Sequence, residues 1–244
     1  MAGNIVPSSL ARNNLRVQRP PRHSAVVRLT HWVHAVAFVA LVLSGVGILL
    51  AHPRMYWGET GTVGVASLFD LPLPFVLDLP LRGPGRYLHF LSAWVCLFSG
   101  LLYVVWGLYR QHFRKNILPK RANLRLGPIV NVVWNHLRFK RPTDDEANVY
   151  NILQQFSYLA VVFVLMPFMF ITGLAMSPAI TSVFPVLVTM LGGHQSARTL
   201  HFLAASSLVI FLLVHVGMVI LAGFTKRVRA MITGYSSRAA KELS

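Results

Sequence analysis

Apolar positions in this chain neither alternate nor recur on one helical stripe; they run on without interruption. Four such runs, Val26 to Leu50, Tyr87 to Tyr109, Tyr150 to Met176 and Ala197 to Phe224, carry few charges. About 20 apolar residues at 1.5 Å per residue cross the roughly 30 Å hydrocarbon core of a bilayer. A run that is apolar on every side needs lipid around it, since backbone groups inside the membrane are satisfied only within helices or closed barrels. The pattern predicts an all-α integral membrane protein, a four-transmembrane-helix bundle. Two connections, residues 60–81 with Pro72, Pro74 and Pro80, and residues 178–193 ending in Gly192 and Gly193, are apolar but too broken or too short to span. They are expected as interfacial or re-entrant pieces.

Composition agrees. Of 244 residues 55% are hydrophobic and 12% charged, too apolar a mixture for a soluble domain of this size to cover. Net charge is +16, which raises the question of nucleic acid until the charges are placed. Arg12, Arg16, Arg19, Arg22 and Arg28 precede the first run, and Lys226, Arg227, Arg229, Arg238 and Lys241 follow the fourth. Nine more basic residues fall between Arg110 and Arg141. By the positive-inside rule both termini and the middle connection are cytoplasmic, in a bacterial inner (cytoplasmic) membrane. The basic excess is therefore a topology signal and a surface for anionic headgroups, and nucleic acid is not a partner. Residues 1–22 are expected as a cytoplasmic tail, 23–235 as the membrane domain and 236–244 as a second cytoplasmic tail. The one cysteine, Cys96, sits in an apolar run, so neither an intrachain disulfide nor a thioether-attached haem can form.

Ten histidines remain to be explained, and ionisable residues inside a membrane are costly enough to be functional candidates. His201 and His215 are 14 residues apart, which leaves them within about 40° of one helix face and about 21 Å apart along the axis. His89 begins the second run at the level of His201, and His31 begins the first at the level of His215. Two cross-helix pairs follow. A haem that carries electrons rather than binding oxygen needs an axial imidazole on each side of its ring, and four histidines make two such sites. A lone intramembrane histidine more often packs between helices; four at matched depths favour coordination. His34, on nearly the same face as His31, is either the true first-helix ligand or a neighbour of the ring edge. His23, His52, His112, His136 and His194 lie near helix ends or in loops and read as surface residues.

Arg28, Arg86 and Arg198 each precede a proposed ligand by three residues, on its face and one turn nearer water. Arginine pairs bidentately with carboxylates, so this spacing suits haem propionates, although snorkelling at helix starts also explains the depth. Gly45, 14 residues after His31, lies on the same face at the depth of the opposite haem, where a ring needs room.

These residues resemble the di-haem cytochrome b subunits of formate dehydrogenase, nickel-iron hydrogenase and thiosulfate reductase. The resemblance rests on Arg28-Leu-Thr-His31-Trp32 with Ser44-Gly45, on Gly85-Arg86-Tyr87-Leu88-His89, on Leu200-His201 with His215, and on Met231-Ile232-x-Gly234. It implies two non-covalent haem b groups and an electron-transfer subunit rather than a stand-alone enzyme. It also implies a soluble partner on the non-cytoplasmic face, commonly a molybdopterin enzyme, and a quinone (menaquinone or ubiquinone) beside the cytoplasmic haem. Tyr150-Asn151-x-x-Gln154 is similar to the family's start of the third helix, which makes Asn151 and Gln154 candidates for a quinone carbonyl; they equally fit an N-cap and N3 pair. The rival reading is a haem-free anchor or small transporter whose histidines bind metal or relay protons.

Overall fold

The computed structural model describes residues 24–61, 64–71, 84–114, 118, 130, 147–221 and 223–235, with side chains in the third long helix described from Gln154 onward. The two expected tails at 1–22 and 236–244, the prolines at 72–80 and nearly all of the basic middle connection lie outside them.

The four apolar runs are helices. They are α1 (Ala25–Ala51), α2 (Pro84–Tyr109), a third helix in two parts, α3 (Ala147–Ala160) and α4 (Met166–Ala175), and α7 (His194–Leu221). Each is long and apolar enough to cross a membrane. Large apolar side chains face outward along them, among them Leu29, Val36 and Leu43 on α1, Phe98 and Val105 on α2, and Ile210 and Leu213 on α7. Such surfaces are stable only against lipid.

Small polar residues occupy the inward positions. Ser44, Thr172, Ser196 and Thr199 are fully buried. Ser44 and Thr172 each return their hydroxyl proton to a carbonyl four residues back, at 2.6 and 2.9 Å, the usual way a hydroxyl is satisfied within a helix.

Between α3 and α4 the helix widens into a π turn, Val161–Leu165. Pro167 supplies the reason: it has no N–H to give to residue 163 and its ring crowds that carbonyl, so the preceding turn relaxes to the longer bond seen from the Met166 N–H to the Val161 carbonyl. A π turn inserts about one residue, rotating everything beyond it by roughly 100°.

At the far end of α1 the chain forms a hairpin absent from the sequence expectation. Strand β1 (Arg54–Met55) pairs antiparallel with β2 (Phe69–Asp70), with Arg54 opposite Asp70. Their ion pair, 3.7 Å with both partners exposed, adds little. The residues after β1 strap onto the start of α7. The Gly58 carbonyl accepts from the N–H groups of Gln195 and Ser196 at 3.0 and 3.2 Å, and the Ser196 hydroxyl accepts from the Gly58 N–H at 2.8 Å. Glu59 accepts from the His194 N–H at 3.3 Å, and Thr199 donates to the Tyr56 carbonyl at 2.7 Å. The first turn of a helix has N–H groups without intrahelical partners and a partial positive charge. Here a carbonyl and a carboxylate from the strap satisfy both. The segment 178–193 folds as two short helices, α5 (Pro178–Thr181) and α6 (Val186–Met190), which agrees with a non-spanning piece.

Long-range packing gathers the chain into two units. The larger, Thr30–Gly217, contains all four of the histidines proposed as ligands. The other joins the described residues up to Leu29 with those from Met218 onward. In it the fourth apolar run stops at Leu221, and Gly223, at φ +95°, turns into a separate amphipathic helix, α8 (Phe224–Thr233), so Phe224 starts a new element rather than ending α7. The Arg28 side chain donates to the Ile232 carbonyl at 2.6 Å, placing a cation at the negative end of α8.

Candidate haem sites

Two pairs of imidazoles face each other across the bundle. His89 of α2 and His201 of α7 have ring centres 6.3 Å apart, and His31 of α1 and His215 of α7 are 6.5 Å apart. An iron bonded to one nitrogen of each ring at about 2 Å separates the ring centres by a little over 6 Å. Both pairs therefore have the spacing of bis-imidazole coordination. Of the two candidates on α1, His31 is the ring that meets His215. Among the described residues no group of three or more histidine, cysteine, aspartate or glutamate side chains gathers as a metal cluster, so the two-ligand pairs are the arrangement to be explained.

The pair at His89 and His201 is held by hydroxyls. The Ser44 Oγ lies 3.0 Å from His89 Nδ1, and the Thr172 Oγ1 lies 3.0 Å from His201 Nδ1. Each hydroxyl has already given its proton to the backbone, so it accepts and the ring donates. Each is followed by glycine. A Cβ on Gly45 would stand 3.5 Å from His89 Cε1, and one on Gly173 would stand 3.4 Å from His201 Cε1. The glycines thus admit the Cε1–Nδ1 edge of each ring and leave the opposite nitrogen, Nε2, clear of the helix behind. The position of Gly45 beside the opposite pair agrees with its spacing from His31.

The pair at His31 and His215 has aromatic neighbours. Trp32 meets His31 edge-on at 5.3 Å, Phe211 stacks on His215 at 5.8 Å, and Tyr158 meets His215 edge-on at 6.4 Å. The Gln154 amide donates to the Tyr158 hydroxyl at 2.6 Å. Helix α3 begins at Ala147, four residues before Asn151, so Asn151 and Gln154 are interior helix positions and the N-cap reading is corrected. The Asn151 side chain lies outside the described residues.

His34 is fixed in another way. Its Nδ1 is 3.0 Å from the Thr30 carbonyl and 3.1 Å from the Ser99 hydroxyl. Here the neighbouring glycine, Gly100, lies against the Nε2 edge, 3.5 Å from where its Cβ would be. The Nε2 edge of His34 thus lies against α2.

Residues 22–234 match the family model of prokaryotic cytochrome b561. The chain belongs to that family. A putative protein-methionine-sulfoxide reductase subunit, YedZ1, of Azospira oryzae is 32% identical over 213 residues, covering 87% of this chain and 96% of the relative. Probable Ni/Fe-hydrogenase B-type cytochrome subunits of Cupriavidus necator and Azotobacter vinelandii are 25% and 24% identical over 226 residues, covering 87% of this chain and 85% and 86% of theirs. As a prokaryotic cytochrome b561 protein with four apolar helices, the chain is a bacterial membrane protein that carries haem b and transfers electrons.

Within this cytochrome b561 frame the arginines have protein partners as well. Arg198 donates to the His52 carbonyl and to Gln195, at 3.4 Å for the latter, while Arg28 is engaged with Ile232 and Arg86 is exposed. A guanidinium has five donors, so one carbonyl does not exhaust it. Reading the sequence passed over Thr172, Gly173, Ser99 and Tyr158. A signal was present: the dipeptides Ser44-Gly45, Ser99-Gly100 and Thr172-Gly173 recur inside apolar helices, and each receives a histidine.

Proposed function

We propose that this chain is the membrane electron-transfer subunit of an oxidoreductase complex, with two haem b groups, one held by His31 and His215 and the other by His89 and His201. When bound, each haem supplies a one-electron couple. The observation that carries the reading is the equal spacing of the two imidazole pairs, 6.5 and 6.3 Å, on helices whose ligands are 14 residues apart in α7. The protein's own work is to hold four rings in one tautomer and orientation, to exclude water from them, and to set their electron donation. Arg28, Arg86 and Arg198 are proposed to meet propionates at the membrane surfaces, a reading that rests on their spacing from the ligands.

The distribution of basic residues supports cytoplasmic termini, which puts His89 and His201 toward the non-cytoplasmic face and the strap of residues 52–59 on that side. A soluble redox enzyme is proposed to dock there. One relative is named as a subunit of a methionine-sulfoxide reductase and two as subunits of hydrogenases; the resemblance to formate dehydrogenase and thiosulfate reductase subunits favours a molybdopterin enzyme. At the other end a quinone is proposed beside His215, with Gln154, Tyr158 and Asn151 as the polar groups that would meet it. Residues 23–235 form the cytochrome domain in this reading, with the two basic ends as cytoplasmic tails.

A reduced-minus-oxidised visible spectrum, with extracted haem counted per chain, tests the proposal. Two b-type haems support it; a haem-free chain sinks it in favour of an anchor or transporter. For the quinone end, Tyr158→Phe and Gln154→Leu are expected to slow haem reduction by quinol about tenfold, the equivalent of one lost hydrogen bond of roughly 1.4 kcal/mol. Reduction by dithionite should be unaffected. Quinol rates equal to the parent's in both variants would remove these residues from the site.

A further inference from the structure

Ser44 and Thr172 treat two different rings alike. Ser44 gives its proton to the Ala40 carbonyl at 2.6 Å, and Thr172 gives its own to Phe168 at 2.9 Å. Neither residue exposes any surface, so water does not compete for the oxygen. With its single proton committed, each oxygen presents only lone pairs to the imidazole 3.0 Å away. The ring must then carry its proton on Nδ1, which leaves Nε2 deprotonated and free to coordinate. Trp32 lies against His31, and Phe211 and Tyr158 lie against His215, at the other pair.

We propose that Ser44 and Thr172 are positioning residues for the haem of His89 and His201, fixing both ligands in the Nδ1–H tautomer and setting that haem's potential through the two Nδ1–H···O bonds. The inference rests on the ligand reading above. Its chemistry is that of a metal-bound imidazole. A hydrogen bond accepted from Nδ1–H leaves more electron density on the ring and makes Nε2 a better donor. A better donor favours ferric over ferrous iron, so both hydroxyls act in the same sense, toward a lower potential. A ring that coordinates through Nε2 keeps its proton on Nδ1 whether or not a hydroxyl accepts it. The ligand therefore survives removal of a hydroxyl while its electron donation falls.

The test uses the full-length haem-loaded chain. Ser44→Ala, Thr172→Val, the double variant and Thr172→Ser are compared by redox titration of the visible bands and by electron paramagnetic resonance of the ferric haems. Each single removal should keep both haems and raise the potential of one of them. The double should raise it further, to about a tenfold larger ferrous-to-ferric ratio at fixed poise, which is about 59 mV for a one-electron couple. Thr172→Ser should return the parent value, and the other haem should not move in any variant. Two haems with unchanged potentials and unchanged resonance, or equal movement of both haems, would overturn the proposal. Should Thr172→Val lose its haem outright, Thr172→Ser decides: a retained haem at the parent potential supports the role of the hydroxyl, and a haem lost there too overturns it. His201→Ala separates this failure from failure of the ligand reading, because two normal haems in that variant would remove the ligands themselves.

Discussion

His201→Ala is expected to halve the haem content, from two per chain to one, with the remaining haem still low-spin. His201 faces His89 at 6.3 Å, and in the proposed coordination its removal takes away one of the two bonds that would hold an iron between them. His215, on the same helix, is about 21 Å away, far enough for the two sites to respond independently. Thr172 would lose its ring contact and keep its bond to Phe168, and the void beside Gly173 would face a membrane-embedded site with no replacement donor. Pyridine haemochrome counting together with the amplitude of the reduced visible band measures the result. Retention of two normal haems would end the assignment of His201. The same measurement separates the candidates on α1: His31→Ala should also reduce the count to one, whereas His34→Ala should keep two, because Nε2 of His34 is turned onto Gly100.

Gly193→Ala is expected to be the most damaging small substitution at the end of the bundle near His201. Gly193 has φ +110°, where a side chain is strained, and a Cβ there would stand 2.5 Å from the Gly58 carbonyl carbon and 2.7 Å from the Glu59 nitrogen, and still nearer to the Gly58 oxygen. These are backbone atoms of the strap, so they move only if the strap moves. The bonds from Gly58 to Gln195 and Ser196, and from Glu59 to His194, are then lost together. Backbone strain and displacement of the strap sum to roughly 2–4 kcal/mol. Gly47→Ala is the contrast, since a Cβ there meets nothing within 4 Å; it should be neutral or slightly stabilising. Thermal unfolding in detergent, with limited proteolysis of residues 52–70, compares the two. Equal melting and equal protection in both variants would show that the strap is not anchored through Gly193.

How much of this was legible beforehand depends on the physical origin of each feature. Uninterrupted apolar runs give spanning helices because lipid leaves the backbone no other way to be satisfied, and the four helices fall within a few residues of the expected runs. The spacing of 14 between His201 and His215 transfers directly into a common face, since α7 is a regular helix between them. Register through the third helix does not transfer. Pro167 forces a π turn, and the positions of Thr172 and Gly173 relative to Gln154 and Tyr158 depend on that local rearrangement. Helix starts were also misjudged. The beginning of α3 at Ala147 turns a possible N-cap into an interior position, and α7 begins at His194 because Gly58 and Glu59, more than 130 residues earlier in the chain, satisfy its first N–H groups.

By itself, then, the sequence determined that the chain crosses a membrane four times and places four imidazoles at two depths, because both follow from local periodicity and from the cost of polar groups in lipid. Only the tertiary structure set His31 rather than His34 against His215, brought Ser44 and Thr172 to their rings, and bound the strap of residues 52–59 to α7. Those outcomes depend on which side chains meet across helices, and a hydrogen bond between residues 45 or 138 positions apart leaves no local trace in the chain.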